Sequence, residues 1–194
     1  MERLKQHIKP GEVYRRSDLE YYSSAVDRHL NRLTHDGSLM KLSPGLYYAP
    51  KKSKFGVVPP SDKSLVERFL KDSSFLLVSP NAYNSLGLGL TQLYNTTWVY
   101  NHKRRGEFVL NGRSLVFKLK SGFPLKLSSE FLVIDLLNNL DELAEDKDQI
   151  INNFKNSFDR FDALELVKMA AQYGSGKTKK TVKSVLKKTH LSRA

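Results

Sequence analysis

The chain has no cysteine, which excludes disulfide staples, thiolate metal sites and cysteine nucleophiles together. Its five histidines (His7, His29, His35, His102 and His190) are scattered, and none forms the His-x-x-x-His pair of a helical chelate. No apolar run approaches the length of a membrane span, and Met1-Glu2-Arg3-Leu4-Lys5 has no apolar leader core. The expectation is a soluble, cytoplasmic protein with no membrane contact, no metal and no cofactor. No internal repeat is visible either. What remains is ordinary globular material, 40% hydrophobic and 27% charged over 194 residues, enough for one medium core or two small ones.

The formal charge of +12 points to a polyanionic partner, and its distribution is more informative than its size. Residues 1–54 carry 11 Lys/Arg against 6 Asp/Glu, and residues 55–173 are balanced at 14 each. Residues 174–194 carry 7 basic residues and no acid. Two basic ends therefore flank a neutral middle.

Local signals divide the chain into an N-terminal unit over 1–54, a linker at 55–60, an α+β domain over 61–173 and a basic helix or tail over 174–194. In the first unit a short helix spans 2–8, and Ser17 stands at the start of a second. Ser23 or Ser24 caps a third over 24–35, and Gly37 suits its left-handed stop. Strands at 39–42 and 46–48 pair across Ser43-Pro44-Gly45. Prolines 59 and 60 argue against a continuing element. Beyond them, Ser61-Asp62 opens a helix to about 70, and strands are expected at 75–78 and 96–100. Asn111-Gly112 marks a two-residue hairpin between 108–110 and 115–119. Helical patterns follow at 131–140, 148–154, 161–173 and 178–189. The fold class is α+β: an N-terminal winged helix-turn-helix, then a mixed α+β domain with a helical C-terminal part.

At 100° per residue, Val26, Leu30 and Leu33 fall on one arc of the third helix and face a core. The opposite arc holds Ser24, Arg28, Asn31, Arg32 and His35, with Asp27 on the flank and Ser23 at the entry. Arginine pairs bidentately with guanine, asparagine with adenine, and serine with either, so this arc suits a DNA major groove. Asp27 would accept from cytosine N4 or orient Arg28. By itself such a face is also what solvent requires; the short helix before it and the basic hairpin after it favour DNA. Arg15, Arg16, Lys41, Tyr48, Lys51 and Lys52 are then the expected phosphate contacts, which position without specifying.

The run Ala25-Val26-Asp27-Arg28-His29-Leu30-Asn31-Arg32-Leu33, followed by Gly37-Ser38-Leu39, Gly45-Leu46-Tyr47-Tyr48 and Pro50, resembles the AbiEi-type antitoxin family. The resemblance continues through Ser79-Pro80-Asn81-Ala82-Tyr83, Leu86-Gly87-Leu88 and the 108–117 hairpin, and so covers most of the chain. It implies a transcriptional autorepressor that binds repeats in its own promoter through the winged helix. It also implies an antitoxin opposing a nucleotidyltransferase-like toxin, with neutralisation assigned to the second domain.

Several motifs are weighed against this reading. Gly174-Ser175-Gly176-Lys177-Thr178 imitates the end of a P-loop, but position 171 is Ala and no strand precedes it. Asp141, Glu142, Glu145, Asp146 and Asp148 would have to converge to hold Mg²⁺. Trp98, Tyr94, Tyr100 and Phe108 line either a pocket or a core. In the basic tail, Val182, Val185 and Leu186 form an apolar stripe, leaving Lys180, Lys183, Lys187 and Lys188 to face DNA or an acidic toxin; a mobile tail is the alternative. Two rival functions stay open: a winged-helix regulator with a ligand-sensing or dimerisation domain, and a metal-dependent nucleic-acid-processing enzyme. A repeat-containing operator fits a dimer or two adjacent monomers.

Overall fold

In the computed structural model, residues 1–191 are described, with side chains described through Lys187. The architecture is mixed α+β, and its contacts divide into two compact units. The first comprises Met1–Leu77 with Asn101–Leu119, and the second Val78–Tyr100 with the chain from Lys120 onward. The contacts thus do not divide at the expected 54 and 61, because residues 62–77 and 101–119 pack with the N-terminal elements.

The first unit opens with α1 (Glu2–His7), β1 (Val13–Arg15), α2 (Arg16–Leu19) and a 3₁₀ turn at Glu20–Tyr22. Then come α3 (Val26–His35), β2 (Met40–Ser43) and β3 (Leu46–Tyr48). The strands form one antiparallel sheet in the order β1-β3-β2. Leu4, Leu19, Val26, Leu30, Leu33, Leu39 and Tyr47 share one core beneath it. Burial of each large aliphatic side chain contributes about 1.5–3 kcal/mol. Gly37 at φ +76° closes α3, and the Leu39 amide reaches back to the Leu33 carbonyl at 2.9 Å, as a left-handed stop requires. Pro44-Gly45 is the two-residue turn between Ser43 and Leu46, with Gly45 at φ +73°.

Three local expectations are corrected. Ser17, expected at the N-cap of the second helix, lies inside α2, whose N-cap is Arg15. Neither Ser23 nor Ser24 caps α3: its N-cap is Ala25, which makes no side-chain cap bond. The Ser23 hydroxyl instead meets His29 Nδ1 at 2.7 Å and accepts from the Ala25 amide at 3.2 Å. The expected linker at 55–60 instead carries a strand, β5 (Gly56–Val58), which pairs with β4 (Lys51–Ser53) at the end of the N-terminal stretch; the residues of both strands are exposed. The short length and lysine content of the hairpin hid the pairing; Lys54-Phe55 is its turn, and Gly56 at φ +109° opens β5.

The unit continues with α4 (Asp62–Leu70) and β6 (Phe75–Val78), whose last residue lies in the second unit. After β7 (Thr96–Asn101), the hairpin β8 (Gly106–Leu110) and β9 (Arg113–Leu119) completes it. Ser61 caps α4 by accepting from the Ser64 amide at 3.2 Å. Asn111 and Gly112 take φ of +52° and +73°, the primed turn that their types favour. The Asn111 amide donates to the Leu42 carbonyl at 3.2 Å, and Arg113 pairs with Asp62, so this hairpin is anchored to both β2 and the start of α4.

In the second unit a 3₁₀ helix (Pro80–Leu86) and most of β7 accompany α5 (Ser129–Asn139), α6 (Lys147–Asn156), α7 (Ala163–Tyr173) and α8 (Gly176–Leu191). Residues 131–137 of α5 are all buried, which makes it the central helix, and α7 and α8 pack on it. Ser128, Asp146 and Asp162 cap α5, α6 and α7. No helix among the described residues is long and apolar enough to cross a membrane.

Candidate nucleic-acid interface

The α3 helix buries Val26, Leu30 and Leu33 at 6%, 0% and 0% exposure, and this orients the rest of it. Arg28, Asn31, Arg32 and His35 all stand exposed on the solvent side. None of the four makes a side-chain hydrogen bond or ion pair among the described residues. Their donors are therefore free for an external acceptor. His29 is half-buried beside Ser23; burial, then the positive charges of the N-terminus, Arg28 and Arg32, hold its imidazole below its ordinary value. At neutral pH it is an uncharged member of the helix flank.

Asp27 does something other than expected. Its two carboxylate oxygens accept from Arg16 Nε and a terminal Arg16 nitrogen, each at 2.7 Å. The Arg16 hydrogen bond holds the Asp27 carboxyl below the usual carboxylate range, and Asp27 in turn raises the Arg16 guanidinium. Arg16 also donates to Glu20 at 2.6 Å. So Asp27 orients Arg16 rather than Arg28, and Arg16 is internally neutralised instead of being a free phosphate ligand.

The other expected phosphate contacts separate in the same way. Lys41, Lys51 and Lys52 are exposed, Arg15 is half-buried, and Ser24 is exposed just before α3. Tyr48 is a correction: it is 2% exposed, and its hydroxyl donates to the Val58 carbonyl at 2.5 Å. It anchors the base of the β4–β5 hairpin and presents nothing to solvent. The alternation of β3 carries no warning of this, because the hairpin that covers Tyr48 reads as a linker.

In the second unit the basic tail is a docked helix. Val182 and Val185 are 2% and 3% exposed, while Lys180, Lys183 and Lys187 are exposed; the Lys188 side chain lies outside the described residues. Asn138 holds the bend before α8, donating to the Tyr173 carbonyl at 2.9 Å and accepting from the Ser175 amide and the Thr178 hydroxyl at 2.8 Å. The P-loop look-alike is thus a helix end and a helix start.

The acidic residues of this unit do not converge. Asp141 pairs with Lys147, Asp146 caps α6, and Glu145 accepts from the Thr91 and Gln92 amides. Among the described residues no group of three or more His, Cys, Asp or Glu side chains is arranged for a metal ion. Of the aromatic set, Trp98 and Tyr100 are core, at 5% and 1% exposure, and Tyr100 donates with Tyr83 to the buried carboxylate of Asp135, while Tyr94 and Phe108 are half-buried.

Two features of the first unit escape a reading by periodicity. One is the exposed tip of β4–β5, where Phe55 is fully exposed among lysines. The other is the loop after β7, whose run His102-Lys103-Arg104-Arg105 was a visible basic signal masked by the neutral average of residues 55–173. No family model matches the chain, and no curated protein matches its sequence.

Proposed function

We propose that this protein is a DNA-binding autorepressor and the antitoxin of an abortive-infection toxin–antitoxin module, of the AbiEi type. Its first seven elements run helix, strand, helix, turn, helix, strand, strand, with a β1-β3-β2 sheet. That order supports reading them as a winged helix-turn-helix with α3 as the recognition helix. The observation that carries the reading is the set Arg28, Asn31, Arg32 and His35, exposed and internally unengaged on one side of a helix whose other side is locked in the core. In the groove these side chains would read base edges, while Lys41, Lys51 and Lys52 would meet phosphates.

The antitoxin half of the proposal rests on the residue resemblance, and its expected partner is a nucleotidyltransferase-like toxin. The lysines of α8 are the charged face available to such a partner or to nucleic acid.

Binding of the full chain to duplex DNA from upstream of its own gene tests the first half. Arg28→Ala is expected to cost about 1–3 kcal/mol on the cognate duplex and to relax sequence preference. Unchanged binding by the Arg28→Ala/Asn31→Ala double variant would overturn the assignment of α3. Co-expression with a nucleotidyltransferase-fold toxin encoded beside the gene tests the second half, and failure to relieve growth arrest would reject it.

A further inference from the structure

We infer that the loop after β7 joins the end of β1 and the β2–β3 turn to form a second binding surface for the phosphate backbone of duplex DNA, beside α3. The inference rests on the DNA-binding reading above and extends its footprint to residues outside the winged-helix elements.

Arg15, Arg16, Ser17, Gly45, Phe69 and Arg104 line a groove of about 300 Å³ in the first unit, and no carboxylate is among its lining residues. A neighbouring pocket of about 570 Å³ mixes Arg15, Arg68 and Lys71 with Asp18, Glu67 and Asp72, so its charges cancel. Of these two, the smaller groove keeps unbalanced positive charge, from Arg15 and Arg104, since Arg16 is paired with Asp27 and Glu20.

Arg104 is preorganised there. Its guanidinium lies 4.5 Å from the centre of the Phe69 ring and 6.0 Å from that of Phe108. A cation–π contact with Phe69 uses none of the guanidinium N–H donors and leaves them for a phosphate. The loop backbone is held by Asn101, itself 1% exposed. Asn101 Oδ1 accepts from the Lys103 and Arg104 amides at 2.8 and 2.6 Å, and Nδ2 donates to the Arg104 carbonyl at 3.0 Å. Ligand binding therefore orders little that is not already ordered.

Lys103 is tied to Asp72 at 3.0 Å and to the Lys71 carbonyl at 3.1 Å, so Arg104 and the exposed Arg105 are the cations this loop offers. Arg16, in the groove wall, grips Asp27 in the first turn of α3. A phosphate in the groove would thus sit one side chain away from the proposed recognition helix. The β2–β3 turn is only two residues long, and the arginine loop supplies the charge that so short a turn lacks.

The test is fluorescence anisotropy of the full chain on a cognate and a scrambled duplex of equal length, across several salt concentrations. Arg104→Gln/Arg105→Gln is expected to weaken both duplexes by the same factor. The slope of log K against log salt should become shallower by about one for each phosphate no longer neutralised, about two for the pair. Arg105→Gln alone, at an exposed site, should give about half that change, which guards against a folding defect from removing the Phe69 stack. Wild-type affinity and slope in the double variant, with sequence preference still abolished in Arg28→Ala/Asn31→Ala, would overturn the second surface and leave the DNA reading standing. Failure of the wild-type chain to bind any duplex would overturn both.

Discussion

Raising the pH above 10 should destabilise the second unit from its centre. Asp135, 2% exposed in α5, accepts from the Tyr83 hydroxyl at 2.7 Å and from the Tyr100 hydroxyl at 2.8 Å. Asn139 adds a third donor at 3.1 Å. Burial first, and then the Asp135 charge, push both phenols well above the ordinary tyrosine value. In the unfolded chain both ionise near pH 10, so above that pH unfolding releases two protons that the folded state keeps. Stability is then fully present below about pH 10 and falls as pH rises, by about 1.4 kcal/mol per pH unit per tyrosine. The pair therefore removes about 4 kcal/mol between roughly pH 10 and 11.5, against a total of about 5–15 kcal/mol for a typical domain.

Trp98, the single tryptophan, is 5% exposed with its ring 6.2 Å from that of Tyr83, and it reports this region by fluorescence. Urea midpoints followed through Trp98 should fall with pH in the wild type. Tyr83→Phe should cost about 1.5–3 kcal/mol at pH 8, the worth of a hydrogen bond to a charged group, yet lose stability more slowly above pH 10 by about 1.4 kcal/mol per unit. The comparison between the two proteins cancels every other titrating group. An unchanged slope in both Tyr83→Phe and Tyr100→Phe, or an absorbance titration in which both phenols of the folded protein ionise near pH 10, would refute the reasoning.

Two further outcomes follow from the side-chain pairings. Asp27→Asn should release Arg16 from its bidentate partner, raising affinity for any duplex and steepening the salt slope by up to about one, measured by the same anisotropy assay. Asn138→Ala removes three hydrogen bonds at the bend before α8 and should cost about 1–3 kcal/mol locally. Faster trypsin cleavage at Lys177 and Lys179, with Trp98 fluorescence unchanged, is the expected readout.

The recognition-helix candidate was legible in the sequence because its evidence is local. The 3.6-residue period of Val26, Leu30 and Leu33 predicted which side is buried, and therefore that Arg28, Asn31, Arg32 and His35 are not. The same holds for Gly37, for Asn111-Gly112 and for the Ser61 cap, where a backbone angle or a nearby amide selects the residue type. The apolar stripe of α8 was equally readable. Tyr48 was not, since its burial depends on a short hairpin whose pairing periodicity does not mark.

What the sequence determined by itself, then, was the identity and orientation of elements, because spacing and turn chemistry act over a few residues. Only the tertiary structure decided which charges remain available. The Arg16–Asp27 pair spans 11 residues, and the Tyr83–Asp135 bond spans 52. Arg104 reaches the groove of Arg15 and Gly45 because residues 101–119 return to the first unit. A charge acts on what lies within a few ångströms, and those neighbours are set by the path of the chain rather than by its order.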